Sequence, residues 1–429
     1  MRAQYESSFQ TAYDKLNPEQ RRAVDTIEGP VLVVAGPGTG KTQVLTMRIA
    51  NILRLTDTKP SSILALTFTE SAAQNMRLRL ASLIGPDAYY VQISTFHSFC
   101  AQVISNHLEF FPLNPASQPI TELERFELVR SIVEELPLES VKPLNSPLFH
   151  VRSLLTNIST FKREGVTTDA FQELVRSQWV DPTTITSKTL ALKTAKRQQQ
   201  LTEQGTVYEA YEQRLRSAGR YDFDDMLALT VAVLSREEVL LQEYQEQYLY
   251  LLVDEYQDTN TVQNNVTRLL ASFWGEQANI FAVGDPHQSI YRFQGASLEN
   301  ITQFMQWYPR TALITLSEGY RCPQELYELA HTLIKQDTSL TSLELLGDSG
   351  SALQSALSQV LKTDKTSESA VTVVKSPDQM TGQVALMEKI SALLADGVAP
   401  NEIAILYTKN RYGKELMPLL SSWGIPFHV

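Results

Sequence analysis

The run Ala35-Gly36-Pro37-Gly38-Thr39-Gly40-Lys41-Thr42 follows a β-branched apolar stretch, VLVVA (31–35), and leads into a segment with helical character. Glycines at alternate positions let a backbone wrap closely enough for its N–H groups to converge on phosphate oxygens. The N-terminus of a following helix adds partial positive charge. In such a loop Lys41 reaches the β- and γ-phosphates of a nucleoside triphosphate, and the Thr42 hydroxyl binds Mg²⁺. The expected cradle is therefore Gly36, Pro37, Gly38, Thr39, Gly40, Lys41 and Thr42. Ala35 stands where the strict pattern asks for glycine.

Triphosphate chemistry needs a second, acidic element, and Leu251-Leu252-Val253-Asp254-Glu255 has its form: an apolar strand ending in two carboxylates. Asp254 would hold the metal, directly or through water. Glu255 would orient and deprotonate an attacking water. A third strand end, NIFAVGDPHQSIY (279–291), carries Gln288. Its amide can donate to a γ-phosphate and accept from water, which suits a sensor of hydrolysis.

These loops need rigid elements to aim them. From about residue 30 to 107, short β-rich runs alternate with helical stretches: VLVVA then a helix from Lys41, ILALTF (63–68) then a helix from Glu70, VQIS (91–94) then a helix from Phe96. That alternation reads as a parallel sheet covered on both faces. Residues 108–220 lack strand patterns and carry helical periodicity instead (Leu123, Phe126, Leu128, Val129, Ile132, then Val207, Tyr208, Tyr211, Leu215). The alternating pattern resumes with YLYLLVD (248–254), NIFAVGD (279–285) and ALITL (312–316), so the helical part interrupts one α/β domain. The expected division is 1–107 and 221–310 as two parts of one domain, 108–220 as an α-helical insertion, and 311–429 as the start of a second α/β domain. Within the last, residues 336–369 read as a connecting loop, Val371–Val374 and 402–407 as strands, and about 378–396 and 413–423 as helices.

Composition sets outer limits. With 429 residues, 43% hydrophobic and 20% charged, the chain is ordinary for a globular protein of several domains. Cys100 and Cys322 are too few for a disulfide framework, and no apolar run approaches a membrane span. The N-terminal residues lack the apolar core of a secretory signal. A cytoplasmic, reducing setting is the natural expectation. The net charge is −11, yet residues 151–220 carry 11 basic against 7 acidic groups; this local excess is a modest pointer to a basic surface on the insertion.

Taken in order, LNPEQRRAV (16–24), AGPGTGKT (35–42), LTFTESAAQNMRLRL (66–80), STFHSFC (94–100), YDFDDML (221–227), VDEYQDTN (253–260), VGDPHQSIYRFQGA (283–296) and LSEGYRCP (316–323) resemble the UvrD/Rep-type helicases of superfamily 1. The resemblance implies a P-loop NTPase (RecA-like) parallel-sheet motor domain with a helical insertion, plus the start of a second RecA-like domain. It implies an ATP- and Mg²⁺-dependent motor moving 3′ to 5′ on single-stranded DNA and opening duplex at single-strand/double-strand junctions. By the same resemblance Gln20 reads the adenine edge and Tyr320 stacks on the base. Arg321 becomes an arginine finger from the second motor domain, and Thr67, Phe68, Thr95, His97, Tyr291 and Phe293 line the DNA track. Aromatic faces there would stack on any base.

Five positions depart from the pattern that the resemblance implies. Ser71 replaces a lysine, Gln43 an arginine, Phe293-Gln294 a Trp-Arg pair, and Gly319 an asparagine. The family's later motifs do not occur before Val429, so the chain resembles the N-terminal portion of a longer helicase. A noncatalytic ATP- and DNA-binding portion, or the motor part of a helicase–nuclease, are the competing expectations.

Overall fold

A computed structural model describes residues 3–289, 298–336, 347–365 and 371–428. Tyr291 and Phe293 therefore lie outside the described residues. The chain divides into two units, 1–366 and 367–429.

Among the described residues the larger unit has eight strands: β1 (Val31–Ala35), β2 (Ile63–Thr67), β3 (Gln92–Thr95), β4 (Gln118–Pro119), β5 (Arg220–Tyr221), β6 (Tyr250–Val253), β7 (Ile280–Gly284) and β8 (Ala312–Leu316). Six of them form one sheet in the order β3-β2-β6-β7-β1-β8, and every pairing in it is parallel. β1, β2, β6 and β7 are buried along their whole length. Their side chains divide with the period of two that a strand imposes. Leu32, Val34, Leu64, Leu66, Leu251 and Val253 enter one apolar core. Val31, Val33, Ile63, Ala65, Leu252 and Phe281 enter the other. Continuous apolar runs are thus what a sheet covered on both faces requires.

Helices begin where the sequence places them, at Lys41, Glu70 and Phe96. Thr69 and Thr95 cap the latter two by accepting the N–H groups of Ala72 and Ser98. The short helix Pro18–Asp25 is held by a capping box between Asn17 and Gln20. At its other end Arg48, fully buried on the helix Lys41–Leu55, donates to the carbonyls of Ala23, Thr26 and Ile27 and lies 4.4 Å over the Phe281 ring. A cation on these end carbonyls satisfies groups the helix leaves open.

Two boundaries differ from the sequence reading. β8 pairs with β1 over five residues, so 312–316 close the first sheet instead of opening a second domain at 311. Residues 347–357, expected within a loop, form a helix, Gly347–Leu357, despite a Gly/Ser-rich composition that is poor in helix formers. Burial of Leu353 and Leu357 in the core on one face of the sheet overrides that local preference.

The helical insertion has its own core around Val129, Ile132, Val133, Leu154, Ile158, Val207 and Leu215; Leu123 is exposed. A buried charge cluster joins it to the α/β body. Lys162, on the helix Val151–Arg163, bonds Asp222 at 2.8 Å, Asp225 at 2.6 Å and Glu212 at 2.6 Å. Asp222 also accepts from the Tyr211 hydroxyl at 2.9 Å and caps the helix Phe223–Arg236. Arg163 bonds Asp224 at 2.9 Å. Three carboxylates hold Lys162 protonated despite its burial. Burial pushes Asp225 up to about 7, with Asp222 and Glu212 repelling its charge and Lys162 opposing the rise.

Unit 367–429 contains the helices Gln379–Ala395 and Asn410–Ser422, packed through Met387, Ile390, Leu416, Leu420 and Ile425. The expected strands at 371–374 and 402–407 are not part of any ladder among the described residues, and Val373 and Leu406 are exposed. A strand is defined by a hydrogen-bonded neighbour, which an apolar run cannot supply for itself.

Removing one partner of a buried ion cluster strands the others. Lys162→Met should lower stability by about 3–5 kcal/mol, seen as an earlier urea midpoint. Adding Asp222→Asn and Asp225→Asn should recover much of the loss. An unchanged midpoint in the single variant would mean the cluster does not hold the insertion in place.

Candidate active site

The loops after β1, β2, β3, β6, β7 and β8 all leave the carboxyl edge of the sheet, where ligands bind in open α/β folds. β7 separates β1 from β6, so the glycine-rich loop and the Asp254-Glu255 pair face each other across one strand.

Gly38 and Gly40 adopt φ of +75° and +89°, conformations in which a side chain is strained. Gly40 offers the helix Lys41–Leu55 no side-chain cap; its carbonyl takes the Gln43 N–H, and the N-terminal end of the helix faces outward with its partial positive charge. Thr39 is buried and donates its hydroxyl to the Gly36 carbonyl at 2.9 Å, closing the loop on itself. Lys41 Nζ lies 3.2 Å from Glu255 Oε2. The two motifs therefore meet at the carboxyl edge of the sheet.

Glu255 sits at φ +47°, the one non-glycine residue with positive φ among the described residues. This conformation costs of order 1–3 kcal/mol, and it turns the carboxylate toward Lys41. Asp254 is buried, and burial, followed by repulsion from Glu255, pushes its carboxyl up to about 7, with Lys41 opposing. The donor set suits a hard cation: a carboxylate at a strand end and the Thr42 hydroxyl at a helix start, with space left for substrate oxygens. Magnesium bound there would offset the negative charge of the phosphates.

Gln257, quoted in a motif but given no role from sequence, bridges two strand ends. Its Nε2 donates to Glu255 Oε2 at 2.9 Å and to Asp258 at 3.2 Å. Its Oε1 accepts the Asp285 N–H at 2.9 Å. Gln288 donates to Asp285 Oδ2 at 2.7 Å. Gln288 is thus linked to Glu255 through Asp285 and Gln257. The signal that could have found Gln257 is its place two residues past Glu255, within reach of the neighbouring strand.

Gln20 is buried, and its amide donates to the Thr39 carbonyl at 2.8 Å while its oxygen accepts the Asn17 N–H. In this arrangement it braces the glycine-rich loop. Tyr320 is half-exposed; its hydroxyl donates to Glu318 at 2.8 Å and accepts from Asn17 at 2.9 Å. Burial and the Glu318 hydrogen bond push that phenol up to about 12. Arg321 is exposed and follows β8, in the same unit as the glycine-rich loop. The expectation that it comes from a second motor domain is corrected by the pairing of β8 with β1, which delivers residues 317–321 from the same sheet edge.

A cavity of about 470 Å³ is lined by Phe68, Glu70, Thr95, His97, Arg163, Phe223 and Asp258, among others. His97 stacks on Phe223 with ring centroids 3.8 Å apart and planes 16° apart. Burial lowers His97 to about 4, so the ring is neutral near pH 7, and its Nε2 has no hydrogen-bond partner among the described residues. Phe223 is half-exposed and presents a free aromatic surface beside it. Thr95 donates its hydroxyl to Glu70 at 2.8 Å; the hydrogen bond from Ser98, and then this one, lower the Glu70 carboxyl. Thr67 is set apart: it is fully buried, and its hydroxyl donates to the Thr69 carbonyl.

Asp254 makes a signed prediction. An unfolded aspartate titrates near ~3.9, so between there and about 7 the folded state binds the extra proton. Its contribution to stability is full below the unfolded value and lost as pH rises through the folded one. With EDTA present, the stability of Asp254→Asn relative to the parent should therefore grow from about pH 4 to about pH 8. A pH-independent difference in urea midpoints would contradict the burial of a titrating carboxyl.

Residues 16–309 match the family model described as the UvrD/REP helicase N-terminal domain. Among curated relatives, ATP-dependent DNA helicase UvrD1 of Mycobacterium tuberculosis (strain H37Rv) is 33% identical over 426 residues, covering 97% of this chain and 50% of that protein. ATP-dependent DNA helicase PcrA of Bacillus subtilis (strain 168) is 33% identical over 324 residues, 76% of this chain and 40% of that protein. PcrA of Staphylococcus aureus (strain NCTC 8325) is also 33% identical, over 326 residues. The chain spans half or less of the length of these relatives. No helix among the described residues is long and apolar enough to cross a membrane. With its glycine-rich loop and paired carboxylates meeting at the edge of a parallel sheet, and with a family match over more than half its length, the chain belongs to the UvrD/REP helicase family.

Proposed function

We propose that this chain is the ATP-hydrolysing part of a motor that moves along single-stranded DNA and separates duplex strands. The observation that carries the reading is the 3.2 Å approach of Lys41 to Glu255 across β7. A lysine held on a carboxylate can exchange that partner for phosphate oxygens when ATP enters. Glu255 is then released to orient a water and take its proton. Arg321 would place positive charge on the phosphoryl oxygens as negative charge develops there. Gln20 and Tyr320 would border the base, and Gln288 would report the γ-phosphate to Asp285 and Gln257.

The cavity at Phe68, His97 and Phe223 is the proposed seat of the DNA bases. Aromatic faces without a hydrogen-bond code accept any base, as a motor that must travel over all sequences requires. Thr95 belongs to the same wall, whereas the burial of Thr67 supports a role in holding the loop that carries Phe68. The 3′-to-5′ direction and the preference for single-strand/double-strand junctions follow from the family resemblance. A reducing, cytoplasmic setting suits Cys100, whose thiol burial pushes up to about 12.

ATP hydrolysis measured with and without single-stranded DNA tests the reading. DNA-stimulated turnover is expected. Lys41→Ala should abolish nucleotide binding, and Glu255→Gln should keep nucleotide while blocking hydrolysis; normal turnover in Glu255→Gln would remove its role as base. Phe223→Ala should weaken single-strand binding by about 1–3 kcal/mol. The logarithm of affinity should fall with log salt by roughly 0.7 per phosphate contacted. A chain that binds nucleotide and DNA yet never turns over would favour a noncatalytic binding portion.

A further inference from the structure

Arg321 stands on a short segment, 317–324, held between the glycine-rich loop and residues 361–365. On the outer side the Gly319 N–H donates to the Lys362 carbonyl at 2.8 Å, and the Lys362 N–H returns to Ser317 at 2.9 Å. The inner side faces the loop. The Tyr320 N–H donates to the Gly38 carbonyl at 2.9 Å. The next attachment after Arg321 is the Cys322 N–H, which donates to the Tyr327 hydroxyl at 3.3 Å. That hydroxyl donates onward to the Pro37 carbonyl at 3.1 Å. One acceptor and one donor use a phenol's hydrogen-bonding capacity well. Arg321 is thus flanked by two ties that end on consecutive carbonyls of the same loop, one direct and one through Tyr327.

Space for the phenol comes from Gly319. A Cβ there would lie 2.6 Å from Tyr327 Cε2 and closer still to the ring carbon and oxygen beyond it. Gly319 does not adopt a positive φ, so its requirement is for room alone. Gly38 is equally close on the other side: a Cβ there would lie 2.6 Å from Arg321 Cβ and 3.0 Å from the Tyr327 oxygen. Tyr327 itself is buried, on the helix Gln324–Ile334.

We propose that Tyr327 is a positioning residue for Arg321: its hydroxyl ties the backbone that carries Arg321 to the glycine-rich loop, in room left by the absent side chain of Gly319. The tie itself is a feature of the fold. Its kinetic consequence rests on the motor reading, in which Arg321 meets the phosphoryl group. A guanidinium displaced from developing charge loses transition-state contacts while ground-state nucleotide contacts persist.

The test uses the full chain and Tyr327→Phe, which keeps the ring and removes the hydroxyl. Hydrogen–deuterium exchange at the Cys322 and Tyr320 amides should quicken roughly tenfold or more, with β1 amides unchanged. Gly319→Ala, which pushes the phenol aside, should give the same pattern, and should add nothing in a Tyr327→Leu background. DNA-stimulated kcat should fall about tenfold while KM for ATP stays within about twofold. Arg321→Ala should abolish any further effect of Tyr327→Phe. Unchanged exchange at Cys322 overturns the tie. Equal proportional losses in kcat/KM from KM alone, or full additivity with Arg321→Ala, overturn the positioning role. A parent chain that shows no turnover with or without DNA refutes the motor reading instead, and the tie is then decided by exchange alone.

Discussion

One pair of opposite charges organises the larger unit: the Lys41 ammonium against the Glu255 carboxylate at 3.2 Å. Neither residue can reach the other from its own local element. Lys41 begins a helix after β1, Glu255 lies two residues beyond the end of β6, and β7 lies between. The parallel sheet must bring three carboxyl ends to one edge, the glycine-rich loop must turn at two left-handed glycines, and Glu255 must accept a strained backbone. Each feature makes sense as the cost of aiming two charges at one small volume. Local strain of this kind persists only where surrounding packing over-determines it, and the strands beneath are buried throughout.

The carboxylates near that volume are not equivalent. Asp254 is buried and pushed up to about 7, and Asp258, buried beside Glu255, rises to about 6. Lys41 alone cannot offset all of them, so a divalent cation would find excess negative potential there. Gln257 and Asp285 extend the same network to the end of β7. Through these amide and carboxylate links, a change at Glu255 has a short physical route to Gln288. The opposite side of the cradle is held differently, by main-chain bonds from Tyr320 and by the Tyr327 hydroxyl.

The motif YDFDDML illustrates how chemistry-bearing residue types can serve architecture. It carries three aspartates. In the fold Asp222 caps a helix, Asp222 and Asp225 bind Lys162, and Asp224 binds Arg163. The same stretch delivers Phe223 to the His97 face, so the helical insertion is fastened to the α/β body beside the proposed DNA cleft. Fixing the insertion and presenting a stacking surface are achieved by alternate residues of one helical turn.

What the sequence determined by itself was local. Glycine spacing, a lysine and threonine at a helix start, apolar runs ending in carboxylates, and threonine caps are short-range signals. They located six strands and the helices at Lys41, Glu70 and Phe96. The membership of β8 in the first sheet, the helix at Gly347–Leu357 and the unpaired segments at 371–374 and 402–407 depended on which surfaces were available to pair or bury. Propensity is blind to that, because a strand or a weak helix is stabilised by its neighbours more than by its own residues. For the same reason Gln257 and Tyr327 gained roles only in three dimensions: each joins groups that are distant along the chain, and hydrogen-bond partners are chosen by proximity in space.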